Sequence, residues 1–494
     1  MRKDLQVFTI HRILWALVAG SVALAIVFWS ANVATFQLIA GTIGGFDVSL
    51  GLRFDTLSIL LLVMVALLGA IVGQYSLRYL DGEKKQRYFY RYLLFTIGAV
   101  CILVLSSNLL MFFAAWLATS YGLHQLLLYR DERPLARRAA TKKFVVSRIG
   151  DVAILAAIAL IYRVFGTFEF DLIFAEAREL SSRPHAGLLP IAGFLLVVGA
   201  MTKSAQYPFH FWLPETMETP APVSALMHAG IINAGGFLII RLSPVLTTAT
   251  AAHALLAVMG AFTAVFGVLV MITQSDIKKK LAYSTISQMG VMMFACGLGV
   301  YSIALFHMIA HSFYKAHAFL STGMLVRESN KGGILLKPGG PIALFVSVLS
   351  GAAVVIAGFT LAGGAYSAYF TYAGVLLLGA FQSIGSLRLD GVGRARVYSQ
   401  VALVFGVAAT VFLAIEFFIH RELSKSLRAE APATTFGASS AELQIHLFSF
   451  AIFVIGAWMS GLLMRPLSPR MRKLYVFFWN GGYFSVRTSK FLEN

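Results

Sequence analysis

Lys203 stands inside the apolar run Leu188 to Leu213, and a second lysine, Lys315, stands in another such run. An ionisable side chain at bilayer depth costs about 2.5–3.5 kcal/mol on insertion scales, so it is kept where it faces a polar cavity or a partner. Histidines lie close by in sequence. His228 is in the span that follows Lys203, and His307 and His311 precede Lys315 at intervals of four residues. On a helix this spacing stacks His307, His311 and Lys315 on one face about a turn apart, whereas His317 points elsewhere. A desolvated ammonium can give up its proton and an imidazole titrates near neutrality. The residue types therefore suggest a segment of a proton wire, against the plainer reading that each is a hydrogen-bonded packing residue. The paired histidines could instead hold zinc, but no third ligand of suitable spacing appears, and Lys315 would repel the metal.

Two further charges belong to this inventory. Asp151, in SRIGDVAIL, is a carboxylate within the first turns of a span, three residues after Arg148, and either neutralises that arginine or joins the chemistry. Lys278 opens QSDIKKKLAYSTISQMG near the membrane plane, while Lys279 and Lys280 read as interface anchors.

The elements that position these groups follow from composition. Of 494 residues 58% are hydrophobic and 13% charged, with a mean hydropathy of +0.78, which excludes an ordinary soluble domain. Runs of about 18 or more apolar residues give about 14 transmembrane helices, centred near residues 24, 66, 98, 118, 155, 201, 231, 262, 288, 314, 352, 375, 409 and 454. The expected fold is an all-α polytopic membrane protein, a single transmembrane unit over residues 1–494. The net charge of +18 is distributed by topology: 30 of the 40 lysines and arginines fall on the side of the termini and 8 on the other. That asymmetry predicts both termini in the cytoplasm and leaves no nucleic-acid role to explain. Cys101 and Cys296 both lie in expected spans, so neither a disulfide framework nor a cysteine-rich metal site arises.

Helix breakers concentrate where the charges do. Pro208, Pro214, Pro220 and Pro222 follow Lys203, and Gly230, Gly235 and Gly236 lie in the next span. Broken helices at membrane depth occur where freed backbone groups meet protein or a water-filled cavity. Soluble mass is nearly absent, and no glycine-rich dinucleotide loop or cysteine cluster supports a redox enzyme.

Three stretches, TKSAQYPFHFWLPETMETPAPVSALMHAG, QSDIKKKLAYSTISQMG and ALFHMIAHSFYKAHAFL, together with FVVSRIGDV, resemble the antiporter-like subunits of respiratory complex I and the large subunits of Mrp-type cation/proton antiporters. The resemblance covers residues 50–330, the family-like ion-translocating core, and leaves 331–494 as divergent C-terminal spans and tail. It implies two inverted five-helix repeats with broken helices and a chain of buried groups along the membrane midplane. Lys203 would match the channel lysine, His228 the histidine on the broken helix, Lys278 the bridging lysine, and His307, His311 and Lys315 the entry to the second channel. Asp151 matches a family aspartate.

The departures narrow the resemblance. After the family-like Trp116, where a glutamate would pair with the channel lysine, Leu117 stands; His124 lies two turns further on. Ile342 to Leu387 contains no charged residue. A chain of this kind is most similar to the DabB family, membrane subunits of a two-component inorganic carbon accumulation system in the bacterial inner membrane. That likeness implies H⁺ or Na⁺ flow through this chain, no cofactor or catalytic site of its own, and a large cytoplasmic zinc protein, DabA, as partner, hydrating CO₂ to bicarbonate. The alternative is a proton-pumping complex I-like or Mrp-type Na⁺/H⁺ antiporter subunit.

Overall fold

The computed structural model describes residues 5–28, 34–43, 46–177, 185–246, 249–322, 341–361, 367–386, 414–425, 440–464 and 468–484. Uninterrupted apolar runs become helices because a backbone without water must satisfy its own hydrogen bonds. In order these are α1 (Leu5–Phe28), α2 (Thr56–Tyr79), α3 (Gln86–Leu105), α4 (Leu109–Leu127), α5 (Pro134–Phe165), the short α6 (Phe170–Glu176) and α7 (Leu189–Lys203). Then come α8 (Ala221–Ala229), α9 (Ala234–Arg241), the single turn α10 (Ser243–Leu246), α11 (Thr250–Thr273), α12 (Ile277–Gly297) and α13 (Tyr301–Leu320). Further helices occupy Pro341–Leu361, Ser367–Ser386, Ser440–Leu463 and Pro469–Trp479.

Among the described residues eight helices are long and apolar enough to cross a membrane by length and composition. Every expected span coincides with helix except the one centred near residue 409, which lies outside the described residues, as do the basic loops Arg327 to Lys337 and Arg388 to Arg396. Helix starts are set by side chains that accept the first free backbone N–H groups. Asp55 accepts from Ser58 N, Asn108 from Met111 N and Asp276 from Lys279 N, each at 2.8 Å.

One element departs from an all-helical chain. Strands β1 (Ala34–Ile43) and β2 (Phe46–Phe54) pair antiparallel, Ala34 opposite Phe54 and Ile43 opposite Phe46. Alternating β-branched and aromatic residues on both sides of Gly44-Gly45 are a hairpin signal. It is obscured by an apolar content that reads as membrane span.

The hairpin is fastened by buried charge. Arg53, at the end of β2, and Arg241, at the end of α9, are both fully buried around Asp55. Arg53 Nε lies 2.9 Å from Asp55 Oδ2, Arg241 forms a bidentate contact with the same carboxylate and donates to Ser58 Oγ at 2.6 Å, and Arg53 also pairs with Asp171 before the end of α6. Burial alone would push the Asp55 carboxyl up, but the guanidinium groups of Arg241 and Arg53 outweigh it and hold it well below the usual carboxylate range. Both arginines, which are among the 8 counted as topology signals opposite the termini, instead serve packing.

Helices α11 and α12 form the tightest pair. A Cβ on Gly290 would lie 2.4 Å from Ala264 N, and one on Gly297 would lie 2.2 Å from Ala257 N, so only glycine permits this approach. Small residues at such a seam let backbones meet where apolar side chains gain nothing over lipid.

Candidate functional site

The polar interior is built where helices break. Helix α7 ends at Lys203, and the following chain runs irregularly to a 3₁₀ turn at Pro214–Glu218. Helices α8 and α9 are separated by Gly230 and a 3₁₀ turn at Ile231–Asn233. Freed backbone groups are used: Ser204 Oγ donates to the Ile232 carbonyl at 2.6 Å and Asn233 Nδ2 to the Ala229 carbonyl at 2.9 Å, while Asn233 Nδ2 also donates to Ser312 Oγ on α13 at 2.7 Å.

Lys203 is 5% exposed. Its Nζ donates to Ser120 Oγ at 2.6 Å, lies 3.4 Å from the Trp116 carbonyl, and sits 4.4 Å above the Trp116 ring. Asp151 is connected to it through the same tryptophan, whose Nε1 donates to Asp151 Oδ1 at 2.9 Å, while Arg148 lies 2.7 Å from Oδ2. The partner in place of a glutamate at Leu117 is therefore a hydroxyl, a carbonyl and an aromatic face on α4.

Sequence reasoning missed a neighbour. Lys143, one of the 30 basic residues counted on the side of the termini, is 3% exposed and donates to the Ser120 carbonyl at 2.9 Å. Lys142 beside it is also buried and pairs with Glu215 at 2.6 Å. The sequence carries no signal that separates Lys143 from an interface anchor; in the structure α5 runs 32 residues from Pro134 and carries both lysines inside the bundle rather than along its rim. His124 stacks obliquely on Phe144, ring centres 5.4 Å apart. It lines a cavity of about 310 Å³ with Leu117, Ser120, Tyr121 and Arg148.

A second group collects on α8, α12 and α13. His228 Nδ1 is 3.1 Å from Thr285 Oγ1, and its ring stacks on Phe319 at 4.3 Å. Lys315 is fully buried and donates to Ser284 Oγ at 2.7 Å, with the Leu281 carbonyl at 3.3 Å. Adjacent residues of α12 thus hold the histidine of one helix and the lysine of another. His307 and His311 stack with centres 6.0 Å apart, on the face expected from their spacing. Among the described residues, His228 Nε2, His307 Nε2 and His311 Nε2 are buried without a hydrogen-bond partner. Buried polar atoms are nearly always satisfied, so these nitrogens mark places for water.

Lys278 stands apart from both groups. Its Nζ donates to the Met217 carbonyl at 3.2 Å and, with Lys142–Glu215 and Arg133–Glu218, ties the 3₁₀ turn to α5 and α12. Chemically, the two groups contain titratable side chains bonded to hydroxyls, and the Ser204–Ile232 and Asn233–Ser312 bonds lie across the broken helix between them. Among the described residues no cluster of three or more His, Cys, Asp or Glu has the arrangement of a metal site.

Comparison with known proteins agrees with this architecture. Residues 106–384 match the family described as NADH:quinone oxidoreductase/Mrp antiporter, transmembrane, and residues 41–90 match that described as NADH-ubiquinone oxidoreductase (complex I), chain 5 N-terminus. The chain is 34% identical to the probable inorganic carbon transporter subunit DabB2 of Halothiobacillus neapolitanus over 481 residues, covering 96% of this chain and 86% of that one. It is 38% identical over 317 residues to the probable DabB1 subunit of the same organism, covering 60% of this chain and 55% of the relative. A solved Mrp complex from Dietzia sp. shares the fold, with a TM-score of 0.63 at 22% identity, over 95% of this chain and 59% of that one.

Proposed function

The chain belongs to the NADH:quinone oxidoreductase/Mrp antiporter family of membrane subunits, and within it to the DabB subunits, and from that premise we propose that it is the cation-conducting half of an inorganic carbon accumulation complex. It is an ion-translocating, multi-pass membrane subunit that works with a partner protein. In the proposed route H⁺ or Na⁺ passes the group around Lys203, Asp151 and His124, crosses the broken helix, and continues past His228, Lys315, His311 and His307, with Lys278 at one entrance. The chain lies in the inner membrane with both termini in the cytoplasm and carries no catalytic site. Its flow drives CO₂ hydration by a large cytoplasmic zinc protein of the DabA kind.

The observation that carries this reading is the series of buried basic groups with unpartnered imidazole nitrogens at membrane depth. Moving one charge through 100 mV supplies about 2.3 kcal/mol, which biases a partner's equilibrium by about fifty-fold. The test is growth in ambient air of a bacterium lacking carbonic anhydrase, expressing this chain with its soluble partner. Rescue by the wild type and not by an assembled Lys203→Ala complex is expected. Failure of the wild type despite verified assembly would favour the complex I-like or Mrp-type antiporter reading.

A further inference from the structure

We propose that Lys143 is a second proton carrier of the site and hands its proton to Lys203 through a single water. The inference rests on the reading of Lys203 as a proton carrier and adds the group that feeds it.

The two lysines come from different helices, α5 and α7, and both donate to Ser120 of α4. Both also line one small cavity of about 10 Å³, with Leu123, Ser147, Thr202, Trp212, Met227, Ile231 and Ile232. A cavity of that size is about the room one water needs. Trp212, 3% exposed and lining the cavity, has an Nε1 with no hydrogen-bond partner among the described residues, so an acceptor is called for there independently of the lysines. A water oxygen supplies it; the Ser147 and Thr202 hydroxyls already donate to backbone carbonyls, so either can accept one of the water's hydrogens while the other is left for Lys203.

Two ammonium groups held on one serine repel in a dry interior, which favours one proton between them. The groups facing this pair are His124 from α4 and Arg148 and Asp151 from α5. In the step, an Nζ–H bond of the Lys143 ammonium breaks as the water takes that proton, and the same water passes one of its own hydrogens to the lone pair of neutral Lys203. Lys143 is left neutral, Lys203 becomes the ammonium, and water is regenerated. Ser120, which holds both lysines, also borders the cavity of about 310 Å³ together with His124.

The test uses membrane vesicles carrying the full chain, with proton entry driven by a potassium diffusion potential and read by a pH-sensitive dye. Lys143→Gln removes the carrier, and Lys143→Arg keeps a charge that does not release its proton. Both are expected to slow flux about a hundredfold, as does Lys203→Ala. Lys143→His restores a titratable group and is expected to recover flux with a displaced pH profile. Wild-type flux in Lys143→Arg makes the residue a structural charge and overturns the proposal. Flux retained in Lys143→Gln but lost in Lys203→Ala overturns it while leaving the relay through Lys203 intact. Flux retained in Lys203→Ala removes the relay itself. If Lys143→Gln does not fold, Ser147→Val, which fills the cavity with both lysines present, decides the matter: slowed flux supports the water-mediated step, and unchanged flux refutes it.

Discussion

Lys143 and Lys203 reach Ser120 from two directions, the first bonding its carbonyl at 2.9 Å and the second its hydroxyl at 2.6 Å. One residue of α4 thereby sets the positions of both lysine amino groups. Ser120→Ala removes only the hydroxyl and leaves the carbonyl bond of Lys143 in place. A hydrogen bond to a charged group contributes about 1.5–3 kcal/mol, so ion flux in membrane vesicles should fall by about tenfold or more. Ser120→Thr should restore it. Equal flux in all three would show that the hydroxyl does not position Lys203.

Leu117 lines the larger cavity together with Arg148, so a carboxylate fits there without displacing the core. The Leu117→Glu protein should fold with an unchanged melting temperature. A carboxylate added there would pair with the basic groups of the site and hold the translocated cation more tightly, so flux should fall by about tenfold. Flux in membrane vesicles, compared with the wild type, measures this; unchanged flux would show that position 117 does not reach the site.

Asp55→Asn leaves Arg53 and Arg241 buried around a neutral amide. Breaking a buried ion pair on one side costs about 3–5 kcal/mol, and thermal unfolding in detergent should show the loss. The wild-type carboxyl lies below its ordinary range, so its contribution is fully present above the unfolded value near 4 and fades as pH falls through the lower folded value. Stability should therefore be insensitive to this group from about pH 8 to 5 and decline below about pH 4, a dependence absent from Asp55→Asn.

Gly290→Val places carbon against the α11 backbone, where a Cβ alone already meets Ala264 N at 2.4 Å. Overpacking costs about 1–3 kcal/mol when side chains can move, and backbone atoms yield less. A melting temperature lowered by several degrees is expected, and loss of flux should follow the loss of folded protein.

The span pattern and the residues that violate it were legible because burying Lys203, Lys315 and the histidines breaks hydropathy openly. The face shared by His307, His311 and Lys315 follows from helical spacing. Lys143 was not legible, because a lysine near the start of a span carries the same sequence signal whether it anchors to headgroups or points inward, and only the packing of α4 and α7 against α5 decides. The hairpin was hidden by its own apolar content, and Arg53 and Arg241 by the custom of reading every arginine between spans as a topology signal. Asn233 gave no signal at all: its use depends on a helix break that brings Ser312 within reach.

The ion triad also carries a timetable. Asp55 and Arg241 are 186 residues apart in the chain, and at about 5–20 residues per second synthesis of that interval takes about 10–40 seconds. During it the carboxylate enters the bilayer region with Arg53, two residues away, as its only partner of the triad. Asp171 emerges next and draws on the same arginine, and α9 then brings the second guanidinium. A ribosome stalled before residue 241 would hold a chain whose hairpin is already tied to Asp171 and Glu169 but whose Asp55 carboxylate still lacks its second guanidinium.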